Sequence, residues 1–130
     1  IAAGLADALA EDAPAAAVRR FIQSWREILT GSDFGAGCPV VAATLEGDRS
    51  PAARDAAAAA FGRWEDLLTE AFEDHGAAAE RARSLATTAI AAIEGAIVLA
   101  RARRTTEPRE RVAGELEELI SSALGDAATP

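Results

Sequence analysis

The sequence lacks the residues that most catalytic and metal sites need. It contains no lysine, methionine or tyrosine, one cysteine and one histidine. One cysteine excludes an intrachain disulfide, and Cys38 with His75 alone cannot form an ordinary His/Cys metal site. There is no Glu-x-x-His pair for a di-iron bundle, no phosphate-binding loop and no convincing Ser-His-Asp set. We therefore expect no metal, no cofactor and no enzymatic activity.

Positive charge is also scarce. Thirteen arginines face 21 acidic residues, which gives a net charge of −8. Such a surface repels a phosphate backbone, so this segment alone is a poor binder of nucleic acid. No secretory signal is visible, and Glu94 interrupts the longest apolar stretch, residues 89–100. We expect a cytoplasmic protein without membrane association. Because the chain begins with isoleucine, we also expect it to be part of a longer protein.

Helix signals dominate what is present. Half of the residues are hydrophobic, many of them alanine, and no segment alternates as a half-buried strand does. Proline in a first helical turn and glycine after a last turn delimit the segments. The sequence predicts one all-α domain over residues 1–130, a bundle of about six helices at 1–10, 14–31, 39–46, 51–76, 77–104 and 107–125. Residues 126–130 are predicted to be a frayed tail.

The last two predicted helices carry more apolar surface than one protomer needs. The small residues Ala91 and Gly95 lie one turn apart on the first of them, and an apolar stripe follows the second. Two such helices from each of two subunits would form a two-fold, four-helix dimer interface. The predicted interface residues are Ala91, Gly95, Leu99, Val112, Leu116, Leu119, Ile120 and Ala123.

Two polar positions permit both a functional and a structural interpretation. Cys38 precedes a short helix, where a thiol pKa tends to fall, so it is either a redox-sensitive thiol or a small packed residue. Glu94 lies among apolar residues, where a carboxylate must be paired or is costly. It is therefore either a polar anchor in a ligand pocket or part of a buried ion pair. Gly95 beside it predicts close approach of another backbone.

Aromatic residues are few, and they lie on different predicted helices around a glycine-rich loop. They are either ordinary core residues or the wall of an apolar pocket. For Phe21 and Phe72 we expect core. The predicted ligand-binding residues are Trp25, Phe34, Phe61, Trp64, Leu68, Ile93, Glu94 and Ile97.

An ordered set of local features resembles the C-terminal half of TetR-type transcriptional repressors, in the branch that includes flavonoid- and drug-responsive regulators. The set covers the chain from about Leu5 to Leu124. It consists of Phe34 with Gly37-Cys38-Pro39, Leu45-Glu46, Phe61 and Trp64, Gly76, Glu94-Gly95-Ala96 with Leu99-Ala100-Arg101-Ala102, and Thr106-Glu107-Pro108.

This resemblance implies a homodimer joined through the last two helices. It also implies a cavity in each subunit for a small apolar or aromatic inducer. Inducer binding would change the separation of two helix-turn-helix heads, which read half-sites roughly 34–36 Å apart, and so release operator DNA. No helix-turn-helix lies in this sequence, so operator binding would depend on an N-terminal domain outside it.

Two other interpretations stay open at this point. The chain could be a helical dimerisation module without a ligand, in which case the aromatics are core. It could also be a freestanding carrier of apolar small molecules. Titration with flavonoids, dyes and hydrophobic drugs distinguishes a dimerisation module from a ligand sensor. The coding sequence upstream of Ile1 distinguishes a freestanding carrier from a repressor domain.

Overall fold

The computed structural model describes residues 2–125, and side chains from Gly4 onward. Its elements are helices α1 (Ala2–Glu11), α2 (Pro14–Gly31), α3 (Pro39–Leu45), α4 (Pro51–Asp74), α5 (Ala79–Arg103) and α6 (Glu107–Leu124). The all-α prediction and the six predicted segments are confirmed. The predicted tail, residues 126–130, lies outside the described residues.

The helix ends follow the local signals in the sequence. Proline occupies the first turn of α2, α3, α4 and α6. The Ser50 hydroxyl accepts a hydrogen bond from the Ala53 amide at 3.3 Å and caps α4. Gly76 follows α4 with φ +102°, a backbone conformation that glycine adopts without strain. Nδ1 of His75 lies 2.9 Å from the Ala71 carbonyl oxygen, at the C-terminal end of α4.

The core forms where α2, α4, α5 and α6 meet. In space α6 lies between α2 and α5, α4 packs on the other side of α5, and α3 packs against α4. Buried alanines of α4 and α5 allow these helices to approach closely. The largest fully buried side chains include Ile22, Leu29, Leu68, Phe72, Leu85 and Ile120. The expectation that Phe21 and Phe72 are core residues is confirmed.

Helix α5 is long and apolar enough to cross a membrane if only length and composition are considered. Many of its apolar side chains nevertheless lie in the core of the bundle, among them Leu85, Ile93 and Ile97. A central helix that contacts α4, α6 and α2 buries several of its sides, which accounts for its composition.

Candidate functional site

A cavity of about 280 Å³ opens between the loop before α3, α3 itself and the second half of α5. The loop contributes the glycines, α3 one apolar face, and α5 four positions at helical spacing. The lining residues are Gly35, Gly37, Cys38, Pro39, Val41, Ala42, Leu45, Glu94, Ile97, Val98 and Arg101. The Arg101 guanidinium lies directly against Gly37, in the space that a Cβ at this position would occupy, so a side chain here would displace the guanidinium. We call this space the α3–α5 cavity.

Glu94 and Cys38 meet at the wall of this cavity. Burial raises the pKa of the Glu94 carboxyl group, and hydrogen bonding with the Cys38 thiol opposes that shift. Oε2 of Glu94 is buried and has no hydrogen-bond partner among the described residues. A buried acceptor without a donor is costly. A ligand that brings an N–H or O–H group to this wall would therefore relieve an existing penalty.

The thiol environment differs from the expectation for a helix N-terminus. Burial raises the pKa of Cys38, and the negative charge of Glu94 adds to this effect, although hydrogen bonding to the Val41 backbone opposes it. The expected fall in the thiol pKa is therefore wrong, because desolvation and a neighbouring carboxylate outweigh the helix terminus. The side chain is 5% exposed, as expected for the packed interpretation.

The loop that forms one wall is held against the end of α5. The Arg104 guanidinium donates to the Asp33 carboxylate at 2.7 Å and lies 5.7 Å from the centre of the Phe34 ring. Asp33, Phe34 and Arg104 all have φ between 52° and 60°, which is uncommon for residues other than glycine. The Phe34 amide also donates to the Leu29 carbonyl at 2.7 Å, which fixes the start of the loop to the end of α2.

The predicted ligand-binding residues do not all meet at this cavity. Glu94 and Ile97 line it, whereas Ile93 and Leu68 belong to the buried core. Trp25 is also buried, and its edge lines a separate depression between α1 and α2.

The remaining predicted aromatics form local contacts. The rings of Phe61 and Trp64 pack edge to face on α4, with centroids 5.4 Å apart. Phe34 lies half-buried under Arg104. The sequence analysis did not predict the cavity-lining role of Val41, Ala42, Leu45, Val98 and Arg101. The glycine-rich loop could be recognised from the sequence, but the faces of α3 and α5 that pack beside it could not.

A second feature is an apolar groove of about 400 Å³ between α5 and α6. It is lined by Thr88, Ala92, Arg111, Val112, Glu115, Leu116 and Leu119. Leu119 of this lining is 38% exposed. Leu99 is 42% exposed and lies two helical turns after Ala92, on the same side of α5. The groove and these leucines form one surface, which we call the α5–α6 face.

The predicted interface residues divide between this face and the core. Ala91, Leu99 and Leu119 are exposed, and Val112 and Ala123 are half-buried. The expected close approach of a backbone to Gly95 is absent among the described residues, since a Cβ there would meet no atom within 4 Å. Leu116 and Ile120 are 4% and 0% exposed within the single chain and mainly stabilise the core.

Comparison with known proteins identifies the family. A family model described as "Transcriptional regulator LmrA/YxaF-like, C-terminal domain", of the TetR type, matches residues 14–115. The chain is a C-terminal domain of the TetR family of transcriptional regulators. The resemblance seen in the sequence is thereby confirmed at the level of the family and its LmrA/YxaF-like branch.

Curated relatives of the chain are named as transcriptional regulators of the helix-turn-helix (HTH) type. Two uncharacterized HTH-type transcriptional regulators of Mycobacterium tuberculosis, from strains CDC 1551 / Oshkosh and H37Rv, are each 40% identical over 109 residues. The match covers 79% of this TetR-family chain but 56% of either relative, so the chain spans little more than half of their length. No solved structure matches the chain significantly.

Proposed function

We propose that residues 1–130 form the effector-binding and dimerisation domain of a TetR-family repressor, and that a small apolar or aromatic ligand enters the α3–α5 cavity. The observation that carries this proposal is the cavity wall at Glu94, where a buried carboxylate oxygen has no donor. Val41, Ile97 and Val98 supply apolar surface around it. A binding pocket combines such apolar walls with a few polar groups that orient the ligand.

The chemistry of the wall favours a ligand that carries a hydrogen-bond donor, either neutral or cationic. A phenol or a protonated amine can donate to Glu94, while an aromatic ring packs against the apolar walls. The Arg101 guanidinium, beside Gly37 in the same lining, offers donors to an acceptor elsewhere on the ligand. These contacts would give differential affinity for one arrangement of the loop, α3 and α5, which is what a population shift requires.

The partner in the dimer is a second copy of this chain, and the contact surface is the α5–α6 face. The exposed Leu99 and Leu119 and the small residues Ala91 and Gly95 support this assignment, since they leave an apolar strip along two adjacent helices. In a two-fold interface the same face of each subunit meets its copy. Operator DNA would be bound in the cytoplasm through a helix-turn-helix domain that precedes this segment in the whole protein.

The experiment selects compounds with the 130-residue chain and measures operator binding with the whole gene product. Compounds from a panel of flavonoids, dyes and hydrophobic drugs are first selected by the rise in melting temperature of the 130-residue chain. Operator binding is then measured by fluorescence anisotropy with and without each selected compound. We expect the selected compounds to weaken operator binding, and the same factor to appear in the affinity for the compound when operator is present. Compound binding with unchanged operator affinity would contradict the repressor mechanism and favour a carrier.

A further inference from the structure

A positively charged cleft lies on the opposite side of α6 from the α5–α6 face, between α2 and α6. It has a volume of about 330 Å³ and is lined by Arg19, Gln23, Arg26, Arg109, Glu110 and Ala113. The three α2 residues are four and three positions apart and therefore share one helix face. Three guanidinium groups around one cleft stand out in a chain whose net charge is −8. We call it the arginine cleft.

Arg109 is buried at a position that the helix pattern reserves for the core. The buried stripe of α6 runs through Ala113, Leu116 and Ile120, and Arg109 extends it by one turn toward the N-terminus. Its side chain is 4% exposed. An apolar residue could fill this position without the desolvation cost of a buried charge. The buried guanidinium therefore calls for an explanation other than core packing.

The described acceptors do not satisfy this guanidinium. NH2 of Arg109 donates to the Glu110 carboxylate at 3.2 Å, but Nε is buried and has no acceptor among the described residues. Burial lowers the pKa of Arg109, and the nearby positive charge of Arg26 adds to that shift, whereas Glu110 opposes it. The site therefore holds a desolvated positive charge with an unused donor.

The remaining charges of the cleft leave it electropositive. Glu117 lies 2.8 Å from Arg19 and neutralises that side chain. Within the described part of the chain, no carboxylate lies within ion-pair distance of Arg26. Two carboxylates thus face three guanidinium groups, and Gln23 adds an amide donor at the same wall. Guanidinium groups bind carboxylate and phosphate oxygens through paired, charge-assisted hydrogen bonds.

We infer that the arginine cleft binds a small oxyanion, a carboxylate or a phosphate, between Arg26 and Arg109. The anion supplies acceptors to the unused donors of both side chains and separates their like charges. This site lies on α2 and α6, away from the α3–α5 cavity, and does not depend on the function proposed above.

The test is a titration of the isotope-labelled chain with inorganic phosphate and, separately, with acetate, at constant ionic strength in chloride. Amide and guanidinium N–H signals of Arg26 and Arg109 are followed by NMR. We expect saturable shifts with a dissociation constant in the millimolar range, as a few charge-assisted hydrogen bonds to a small ion provide. The two arms show whether a tetrahedral or a planar oxyanion is preferred.

Variants separate a site from general salt effects. Arg26→Gln should raise the dissociation constant by about tenfold. The control Arg63→Gln makes the same charge change at an exposed position of α4 and should leave the dissociation constant unchanged. Arg109→Met keeps an unbranched side chain and removes the guanidinium group. Buried ion pairs are often replaced by apolar residues without loss of stability, so this variant should fold and lose the saturable shift. Linear shifts with both anions, or equal binding by Arg26→Gln and Arg63→Gln, would overturn the inference.

Discussion

Replacing Leu119 with aspartate should dissociate the proposed dimer without unfolding the protomer. Leu119 is 38% exposed on α6 and lines the groove between α5 and α6, so its outer part is available to a second copy. Full burial of a leucine contributes roughly 1.5–3 kcal/mol, so covering the exposed 38% in both protomers contributes roughly 1–2 kcal/mol. Desolvating an unpaired polar group costs roughly 1–3 kcal/mol, and a carboxylate costs more, so the aspartate adds at least that amount in each protomer.

These terms together weaken the dimer by about 3 kcal/mol or more, which raises the dissociation constant by roughly a hundredfold or more. The assay is sedimentation velocity over a range of protein concentrations, with far-ultraviolet circular dichroism to verify helix content. We expect the unchanged chain to be dimeric at micromolar concentration and Leu119→Asp to be monomeric and helical.

Two further leucines provide controls. Leu45 is 79% exposed on α3, away from the α5–α6 face, so Leu45→Asp should leave the dimer intact. Leu116 is 4% exposed, so Leu116→Asp should destabilise the protomer itself by about 2–5 kcal/mol. The reasoning is refuted if Leu119→Asp retains the dimerisation constant of the unchanged chain, or if the unchanged chain is monomeric throughout.

Three other predictions follow from the cavity wall and the helix ends. Burial raises the pKa of Glu94 in the folded chain, so the folded state favours the protonated form and loses stability as pH rises above the ordinary carboxyl range. Glu94→Gln should therefore increase the free energy of unfolding at pH 7, and this gain should vanish below about pH 4. Urea denaturation at several pH values measures the gain, and a gain independent of pH would contradict the prediction. Burial and the Glu94 charge raise the pKa of the Cys38 thiol, so iodoacetamide should alkylate this thiol more slowly in the folded chain than in the unfolded chain. Glu94→Gln should accelerate the reaction in the folded chain, and mass spectrometry measures both rates. Equal rates in the folded and unfolded chains would refute the assignment. Ser50→Ala removes the acceptor for the Ala53 amide and should lower the free energy of unfolding by about 1 kcal/mol, and an unchanged urea midpoint would show that the cap contributes nothing.

Helix positions could be predicted from the sequence because each boundary has a local cause. Pro14, Pro39 and Pro51 each begin a helix, and Gly76 follows α4, as their backbone preferences require. Such signals depend on neighbouring residues only. They do not depend on how the helices pack, so the six helical segments could be predicted from composition and from the positions of proline and glycine.

The site was less accessible, because helical periodicity marks buried positions without saying what covers them. Leu68 and Ile93 satisfied the pattern of a pocket wall as well as that of a core, and the structure places both in the core. Arg101 belongs to the features that carry the family resemblance, but its place in the cavity depends on contact with Gly37 in a loop more than 60 positions earlier and could not be predicted. The role of Arg109 could not be predicted from the sequence either, because its position in the core becomes evident only when α2 packs against α6.

The most direct measurement is isothermal titration of a compound from the flavonoid, dye and drug panel against two matched variants. Ala42 lines the α3–α5 cavity and is exposed on α3, so Ala42→Phe places a ring in the space proposed for the ligand. Ala58 is exposed on α4, and Ala58→Phe makes the same change outside the cavity lining. Calorimetry is preferable to tryptophan fluorescence because neither Trp25 nor Trp64 lines this cavity. The account predicts that Ala42→Phe loses binding and Ala58→Phe retains it; equal affinity in both variants would contradict a ligand in the α3–α5 cavity.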